Sequence, residues 1–542
     1  MSKGAHRLTV LMLSLATCAA LADQAAAQDN KSGDPIPAGN PEFGPGDSDP
    51  IKPKGLETKF RMGSEIHAFE NKDFRELDES SDQAIIDSDD RHTFAYSTLS
   101  AFLGYQINED LRVNVGVAHN GLWSRDQIGG QAQLAGALFF SHLNMIYSPI
   151  NTDDFKLSFS VGRQPFAIGG VPKDYFLDDL LDSVVVEADA GKAGRLRILA
   201  LDFFTSSDLP RASFTRYVSG RETTLGLRGD TFTLRTGGVY ENDKIVDGLT
   251  VKAYYFFADM GGGPVDESGA DISFGGSLGN FADNDFVWMA GGRVSYDLDL
   301  GDTGNVLFYG DFAHSSGIDR KEVVAFDVDI SGNAFGGGVD SKLSFGESFG
   351  LEFAADFYRF DGPEYSQNGL RFQHGFVGFR GRRIGGLNAD RYAGWFPSAV
   401  MSAGGLNFRE HEPARARGTQ SLHAGLGFVI MQNTLLRADM WLLQDTGSSN
   451  LNQADLDNID PPFGYSREEF FAQSRLGLDL GTEIDLQLTH RFNENLKGFI
   501  VYGLFMPGDF YGIEINRVGG NARGSNDPQN FWGFTAGTTV EF

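Results

Sequence analysis

The last residues of the chain, from Trp532 to Phe542, alternate between two chemical types. A period of two residues places the two sets on opposite faces of a β-strand. An exposed apolar strand is an aggregation hazard in water. The pattern therefore favours the closing strand of a membrane-spanning barrel, with lipid on one face and the lumen on the other. The alternative is an ordinary strand of a β-sandwich. The apolar set is Trp532, Phe534, Ala536, Thr538, Val540 and Phe542, and the set between them is Gly533, Thr535, Gly537, Thr539 and Glu541.

The composition agrees with a transmembrane barrel. The chain has 542 residues with 69 glycines and 12% aromatic residues, while its apolar content is an ordinary 41%. Only one face of each barrel strand meets lipid, so such a protein needs no long apolar runs. A helical membrane protein needs apolar runs of about 18 residues or more, and we find none after the N-terminus.

The N-terminus has the pattern of a secretory signal peptide over residues 1–27. Lys3 and Arg7 precede an apolar run from Leu8 to Ala22, and small residues follow. Cleavage after Ala22 and cleavage after Ala27 both fit the pattern.

Residues 28–55 are rich in Pro, Gly and Asp, which predicts a flexible periplasmic leader. We assign residues 56–542 to one barrel. Cys18 is the only cysteine, so disulfides do not stabilise the mature chain. The formal charge of −28 argues against nucleic acid as a partner. It favours cations unless basic groups are concentrated at a specific site.

Alternating segments recur along the chain between turns. In the longest, Leu476 to Leu488, apolar residues alternate with polar or charged ones. Short links such as Asn108–Asp110 alternate with long ones such as Asn71–Arg91, as expected for periplasmic turns and extracellular loops. We predict an all-β fold, a transmembrane antiparallel up-and-down β-barrel of about 18 strands with both ends periplasmic. If Asp361–Thr419 contributes a further pair, the barrel has about 20 strands.

The penultimate hairpin resembles the closing region of the alginate-export family. The resemblance lies in Leu480–Leu486, Arg491–Leu496 and Tyr502–Asp509, and Val161–Gln164 is similar to an earlier strand-end motif of that family. It implies an outer-membrane pore and, less firmly, alginate as cargo. The closing strand also resembles the signal read by the outer-membrane barrel assembly machinery, carried here by Trp532, Phe534, Val540 and Phe542.

Arginines are concentrated in the Asp361–Thr419 connection. From Arg371 onward it contains eight arginines and only three acidic residues. Arginine stays charged and binds carboxylates in bidentate geometry. Folded into the lumen, this stretch would form an anion-selective constriction, as the resembled exporters have. The alternative is pairing with acidic loops or lipopolysaccharide phosphates. We select Arg371, Arg380, Arg382, Arg383, Arg391 and Arg409 as pore-lining candidates; Arg415 and Arg417 complete the set.

Glu483, Asp485 and Arg491 are further pore-lining candidates, because strand parity directs all three inward. Their other interpretation, which we favour, is an inter-strand salt-bridge ladder that stiffens the wall.

The remaining motifs do not predict chemistry. Asp327–Gly332 begins like a calcium loop, but Gly338 occupies the twelfth position, where a bidentate Glu is needed, so we interpret it as an acidic turn. Gly275–Gly279 matches the nucleophile-elbow letters without the strand-to-helix context. We therefore predict no enzyme activity, no metal site and no cofactor.

The sequence thus predicts a passive channel in the Gram-negative outer membrane. Its cargo would be an anionic or neutral saccharide, including an exported polysaccharide such as alginate. Its partners would be outer-membrane lipid, lipopolysaccharide and the barrel assembly machinery. One alternative is a general porin for small nutrients or cations, which the acidic charge favours, and another is an outer-membrane hydrolase. The solute, the direction of transport and the oligomeric state stay open.

Overall fold

The computed structural model describes most of the chain after Lys54. The described ranges are 55–70, 92–122, 138–172, 174–205, 232–259, 286–321, 326–346, 348–362, 364–365, 371–373, 375–379, 418–431, 433–449, 479–508 and 530–542. The predicted signal peptide and, except for Gly55, the predicted leader lie outside these ranges.

The described chain consists almost entirely of β-strands. The first ten are β1 (Leu56–Glu70), β2 (His92–Gln106), β3 (Leu111–Leu122), β4 (Leu138–Asn151), β5 (Lys156–Ala167), β6 (Asp178–Asp189), β7 (Arg195–Thr205), β8 (Phe232–Val246), β9 (Leu249–Asp259) and β10 (Phe286–Asp299). The others are β11 (Gly304–Lys321), β12 (Phe326–Phe345), β13 (Phe349–Phe360), β14 (Glu364–Tyr365), β15 (Arg371–Gln373), β16 (Thr419–Ile430), β17 (Thr434–Asp445), β18 (Ser448–Ser449), β19 (Asp479–Arg491), β20 (Leu496–Pro507) and β21 (Phe531–Glu541). Two single-turn 3-10 helices span Gly191–Ala193 and Gly301–Thr303. No helix in the described ranges is long and apolar enough to cross a membrane.

The wall is an up-and-down barrel of 18 strands, in agreement with the sequence prediction. Each wall strand pairs antiparallel with the next wall strand along the chain. β14, β15 and β18 are short strands within connections, and β13 pairs directly with β16. The Asp361–Thr419 stretch therefore adds no pair to the wall, which settles the count at 18 rather than 20.

The closing strand closes the barrel, as its face pattern predicts. β21 pairs with β1 from Arg61 opposite Glu541 to Glu70 opposite Trp532. Beyond this register, the backbone N–H of Phe60 donates to the carbonyl of Phe542 at 3.0 Å, and the N–H of Phe542 donates back at 2.9 Å. The last residue of the chain therefore takes part in closure, and the sheet has no free edge.

The two faces of each strand differ as alternation requires. On β17, Met440 and Leu442 are exposed on the outside, whereas Asp439 and Trp441 are buried inside. β19 repeats the pattern: the side chain of Leu486 is 48% exposed and that of its neighbour Asp485 2%. A closed barrel with an apolar outer belt and a polar inner face is a transmembrane β-barrel.

The two rims of the barrel differ. One rim, here called the short-turn rim, carries connections of two to five residues, such as 107–110 and 247–248, and holds both Leu56 and Phe542. The opposite rim, the loop rim, carries longer connections, including 71–91, 123–137, 206–231, 260–285 and 508–530.

One connection at the loop rim departs from the expected alternation of short and long links. β11 and β12 have 18 and 20 residues, and only residues 322–325 join them. Asp327 and Asp329 consequently lie in β12, where Asp329 is opposite Ile318 of β11. Our interpretation of Asp327–Gly332 as an acidic turn is wrong, because these residues belong to strand β12 of a long hairpin.

Candidate functional site

Two connections from the loop rim fold into the barrel interior. The first is residues 168–177, in which Lys173 is not described, and the second is residues 375–379. The ring of Phe176 lies 6.1 Å from Phe360 of β13, 6.3 Å from Tyr254 of β9 and 5.6 Å from Phe376 of the second segment. β9 and β13 are separated by three wall strands, so these contacts cross the inner surface of the barrel. We call residues 168–177 and 375–379 the inward segments.

The first inward segment turns sharply after β5. Gly169 and Gly170 have φ values of 71° and 87°, a region that glycine adopts without steric cost. The Asp174 carboxylate then accepts the backbone N–H groups of Gly169 at 2.8 Å, Phe176 at 3.2 Å and Leu177 at 3.4 Å. This local clasp satisfies buried backbone donors, so the segment can leave the sheet without unpaired N–H groups at these positions.

A row of wall cations binds the carbonyl groups at the start of this segment. Arg197 of β7 donates to the carbonyls of Ala167 at 3.0 Å and Ile168 at 3.1 Å. Lys252 of β9 donates to Ile168 at 2.9 Å. Arg293 of β10 donates to the carbonyl of Gly169 at 2.6 Å. Three side chains from three wall strands therefore fix the path of the segment.

The centre of this arrangement is a buried ion cluster. Arg293 donates to both carboxylate oxygens of Asp174 at 3.1 Å and, through Nε, to Asp311 of β11 at 2.6 Å. The hydroxyl of Tyr358 donates to the other oxygen of Asp311 at 3.1 Å. Burial opposes ionisation of Asp174, but Arg293 and the N–H groups of Gly169 and Phe176 outweigh it and lower the pKa of that carboxyl below its ordinary value.

The second inward segment packs on the first. The N–H of Phe379 donates to the carbonyl of Phe176 at 2.9 Å, and the N–H of Val377 donates to the Ser315 hydroxyl on β11 at 2.8 Å. A side chain at Gly332 of β12 could not be accommodated, because its Cβ would lie 2.2 Å from the backbone nitrogen of Phe376. The two segments and the wall thus form an apolar core inside the barrel, next to the charged groups of the inner face.

A second charged cluster joins the wall strands on either side of the long 361–418 connection. The ring nitrogens of His423 on β16 lie 2.6 Å from Asp356 of β13 and 2.8 Å from Asp439 of β17. Arg437 donates to both oxygens of Asp439, at 2.7 and 2.8 Å, and the His423 ring stacks on Trp441 at 4.4 Å. This cluster links three wall strands, of which β13 and β16 are separated in sequence by the 361–418 connection.

Two of the predicted pore-lining residues are carboxylates on β19. Glu483 and Asp485 are buried on the inner face of β19, opposite Trp441 and Asp439 of β17. Arg491 is at the end of the same strand, near the short-turn rim, and its N–H donates to the carbonyl of Asn433. The six residues from Asp485 to Arg491 span about 20 Å of strand. The three residues therefore do not form one cluster.

The predicted arginine-rich constriction is almost entirely outside the described residues. The backbone of Arg371 belongs to β15, which pairs with β14 and touches β12. Arg380, Arg382, Arg383, Arg391, Arg409, Arg415 and Arg417 are not described. Their place in the lumen stays a prediction. The predicted Gly-rich loop with Gly275–Gly279 also lies outside the described residues.

Sequence reasoning missed Arg197, Lys252 and Arg293, the cations that hold the first inward segment. Each occurs singly in an alternating strand, so none differs locally from an ordinary wall charge. A usable signal was the run Tyr175-Phe176-Leu177 in a short polar connection, because two aromatic rings there need a buried partner. No cluster of three or more His, Cys, Asp or Glu in the described part of the chain could hold a metal ion.

No family model and no curated protein matches the chain. Among solved structures it is similar to the outer membrane protein OprD of Pseudomonas aeruginosa, with 11% identity and a TM-score of 0.43 over 90% of this chain and 94% of that one. It is also similar to Wzi, a carbohydrate-binding β-barrel involved in group 1 capsule assembly in Escherichia coli, with 12% identity and a TM-score of 0.40 over 89% and 84%. A third structure, OccK11 of Pseudomonas aeruginosa, has 9% identity and a TM-score of 0.40 over 90% and 96%.

Proposed function

We propose that the protein is a passive channel of the Gram-negative outer membrane, and that its cargo is an anionic or neutral saccharide. The observation that supports the proposal is the closed 18-strand wall with an apolar outer belt, narrowed inside by two wall-bound segments. Such a wall satisfies every strand edge within the membrane, and the inward segments would limit what passes. This class of cargo includes an exported polysaccharide such as alginate.

The difference between the two rims supports a proposed orientation in the membrane. In bacterial transmembrane barrels the short turns are periplasmic and the long loops extracellular. We therefore place the short-turn rim and both ends of the barrel in the periplasm, after a cleaved signal peptide (residues 1–27) and a leader (residues 28–55). The outer belt would contact outer-membrane lipid and lipopolysaccharide. The assembly machinery would read the closing strand, with Trp532, Phe534, Val540 and Phe542 as its recognised residues.

The sign of the selectivity divides this proposal from a general porin for small cations. Several described wall charges are paired across strands: Arg195 contacts Glu241 at 3.1 Å, and Lys252 contacts the same carboxylate at 2.8 Å. Paired charges largely cancel, so the undescribed arginines of the 361–418 connection would set the selectivity. The formal charge of −28 favours the cation alternative.

Reversal potentials in planar bilayers test the proposal. We expect discrete conductance steps from the refolded protein and a shift toward cation selectivity when Arg380, Arg382 and Arg383 are all changed to Ala. The matched control changes the same three residues to Lys, which keeps the charge and should keep the selectivity. Absence of conductance would reject the channel. A cation-selective wild type that the triple Ala change leaves unaltered would reject the arginine-guarded pore in favour of the general porin.

A further inference from the structure

The inner face of β3 to β6 carries a row of uncharged hydrogen-bonding side chains. We call this row the amide lane; it consists of Asn114, Asn144, Ser160, Gln164 and Ser183, of which all but the partly buried Ser160 are buried. Gln164 precedes Phe166 of the apolar core by two residues, on the side of the short-turn rim. The lane therefore leads from that rim toward the first inward segment.

Four members of the lane, all except Asn114, are joined by hydrogen bonds across three strands. The Asn144 side-chain amide on β4 donates to the Ser160 hydroxyl at 3.1 Å and to Gln164 Oε1 at 3.4 Å, both on β5. The Ser160 hydroxyl also donates to Gln164 Oε1. The Gln164 amide then donates to the Ser183 hydroxyl on β6 at 3.2 Å. These hydrogen bonds hold the amide planes in fixed orientations along the wall.

One atom of this network has no partner. Asn144 Oδ1 is buried and makes no hydrogen bond. The residue as a whole is only 7% exposed. Interchanging the oxygen and nitrogen of the Asn144 amide would leave the nitrogen unpaired in its place, so one position of the amide lacks a partner in either assignment. Gln106 Oε1 on β2 is a second buried acceptor without a partner. An unpaired buried amide atom costs free energy, which a ligand hydroxyl would recover because it both donates and accepts.

An aromatic pair lies beside these amides. The ring of Phe102 on β2 meets the ring of His142 on β4 edge-on at 5.2 Å, across Gly116 of β3. Asn114 and Asn144 are two residues farther along the same strands, opposite each other. A sugar ring offers hydroxyl groups at its edge and C–H groups on its faces, so a wall with amides next to an aromatic ring complements both.

The charges near the lane are paired. Arg112 contacts Glu57 at 2.5 Å and donates to Asn114 Oδ1 at 2.7 Å, and Lys59 contacts Glu57 at 3.0 Å. A carboxylate entering the lane would therefore have to compete with Glu57 for its cation.

We propose that the amide lane is a binding track for the hydroxyl groups of a neutral saccharide, which makes a neutral sugar, not an anionic one, the preferred cargo. This inference rests on the proposed channel function and specifies its substrate class.

The test is swelling of liposomes that contain the full mature chain, in glucose and in glucuronate, two probes of similar size. The wild type should pass glucose faster. Asn144→Leu and the milder Ser160→Ala should each reduce the ratio of glucose entry to glucuronate entry by about fivefold, the effect of about one lost hydrogen bond. Ser295→Ala is the matched control for Ser160→Ala, because it removes a buried hydroxyl on β10, outside the lane.

The outcomes distinguish failure of the channel from failure of the lane. A wild type without conductance or swelling rejects the channel and the lane together. Conductance with equal glucose and glucuronate entry, or glucose entry that neither lane variant reduces, overturns the lane and leaves the channel standing. An equal loss of both solutes in Ser160→Ala, with folding verified by heat-modified electrophoretic mobility, would also overturn it.

Discussion

Asp174 and Arg293 are 119 positions apart in the chain, and their side chains form a two-pronged ion pair in the barrel interior with both N–O distances at 3.1 Å. One residue belongs to an inward segment and the other to the wall strand β10. The pair therefore connects the part of the molecule that narrows the lumen to the part that encloses it. Because both groups are buried, the loss of one leaves the other without its partner in a low-dielectric environment.

Asp174→Ala should loosen the first inward segment. Removing one partner of a buried ion pair costs about 3–5 kcal/mol, and here the lower end applies because Arg293 keeps Asp311. The clasp on the N–H groups of Gly169, Phe176 and Leu177 is lost as well. We expect larger and noisier single-channel conductance in planar bilayers. Asp243→Ala, which removes an exposed ion pair with Lys244, should leave the conductance unchanged; equal conductance in both variants would contradict the role of Asp174.

The docking of the same segment should depend on pH only under acid conditions. The pKa of Asp174 is lowered in the folded protein. Its contribution to stability is therefore complete above the unfolded value of about 3.9 and is lost as the pH falls through the lowered value. We expect steady conductance from pH 8 to about pH 5 and opening events below about pH 4. The Asp174→Ala variant, which lacks this group, should not show the acid-induced events.

Two neighbouring positions on β19 separate the lipid face from the lumenal face. Leu486→Lys places a cation in the apolar belt and should reduce the free energy of unfolding by about 2–4 kcal/mol if the site is near the bilayer midplane. Gln487→Lys places the same cation on the inner face, two residues from Asp485, and should cost less. Urea unfolding in liposomes measures both. Equal losses would contradict the assignment of the two faces to lipid and lumen.

Deletion of Phe542 should impair closure of the barrel. It removes two backbone hydrogen bonds to Phe60, each worth about 1 kcal/mol, and a ring contact with centroids 6.2 Å apart. We expect a smaller fraction of folded, heat-modifiable protein in the membrane. Phe542→Tyr keeps the backbone and the ring, so it should assemble at nearly the wild-type level. If the deletion assembles equally well, the terminal residue has no role in closure.

The sequence by itself determined that the fold is all-β, because alternation reports a local property, and the alternation of short and long links favoured a barrel over a sandwich. In a strand successive side chains point to opposite faces, so Leu486 next to Asp485 already indicates a wall with apolar and polar sides. The closing role of Trp532–Phe542 and the position of the short turns follow from the same local rule. The sequence left 18 or 20 strands open, and the structure showed that the stretch after Asp361 adds no pair of wall strands.

Only the tertiary structure decided what the interior contains. The contacts of Asp174 with Arg293 and of Asn144 with Gln164 depend on register and on inward folding of a connection, and neither property is encoded within one strand. A single inward arginine looks the same in sequence whether it meets water, a carboxylate or a backbone carbonyl. The apolar core around Phe176 and Phe376 was not predictable from the sequence, because aromatic rings from distant connections contact each other only once the wall has brought them together.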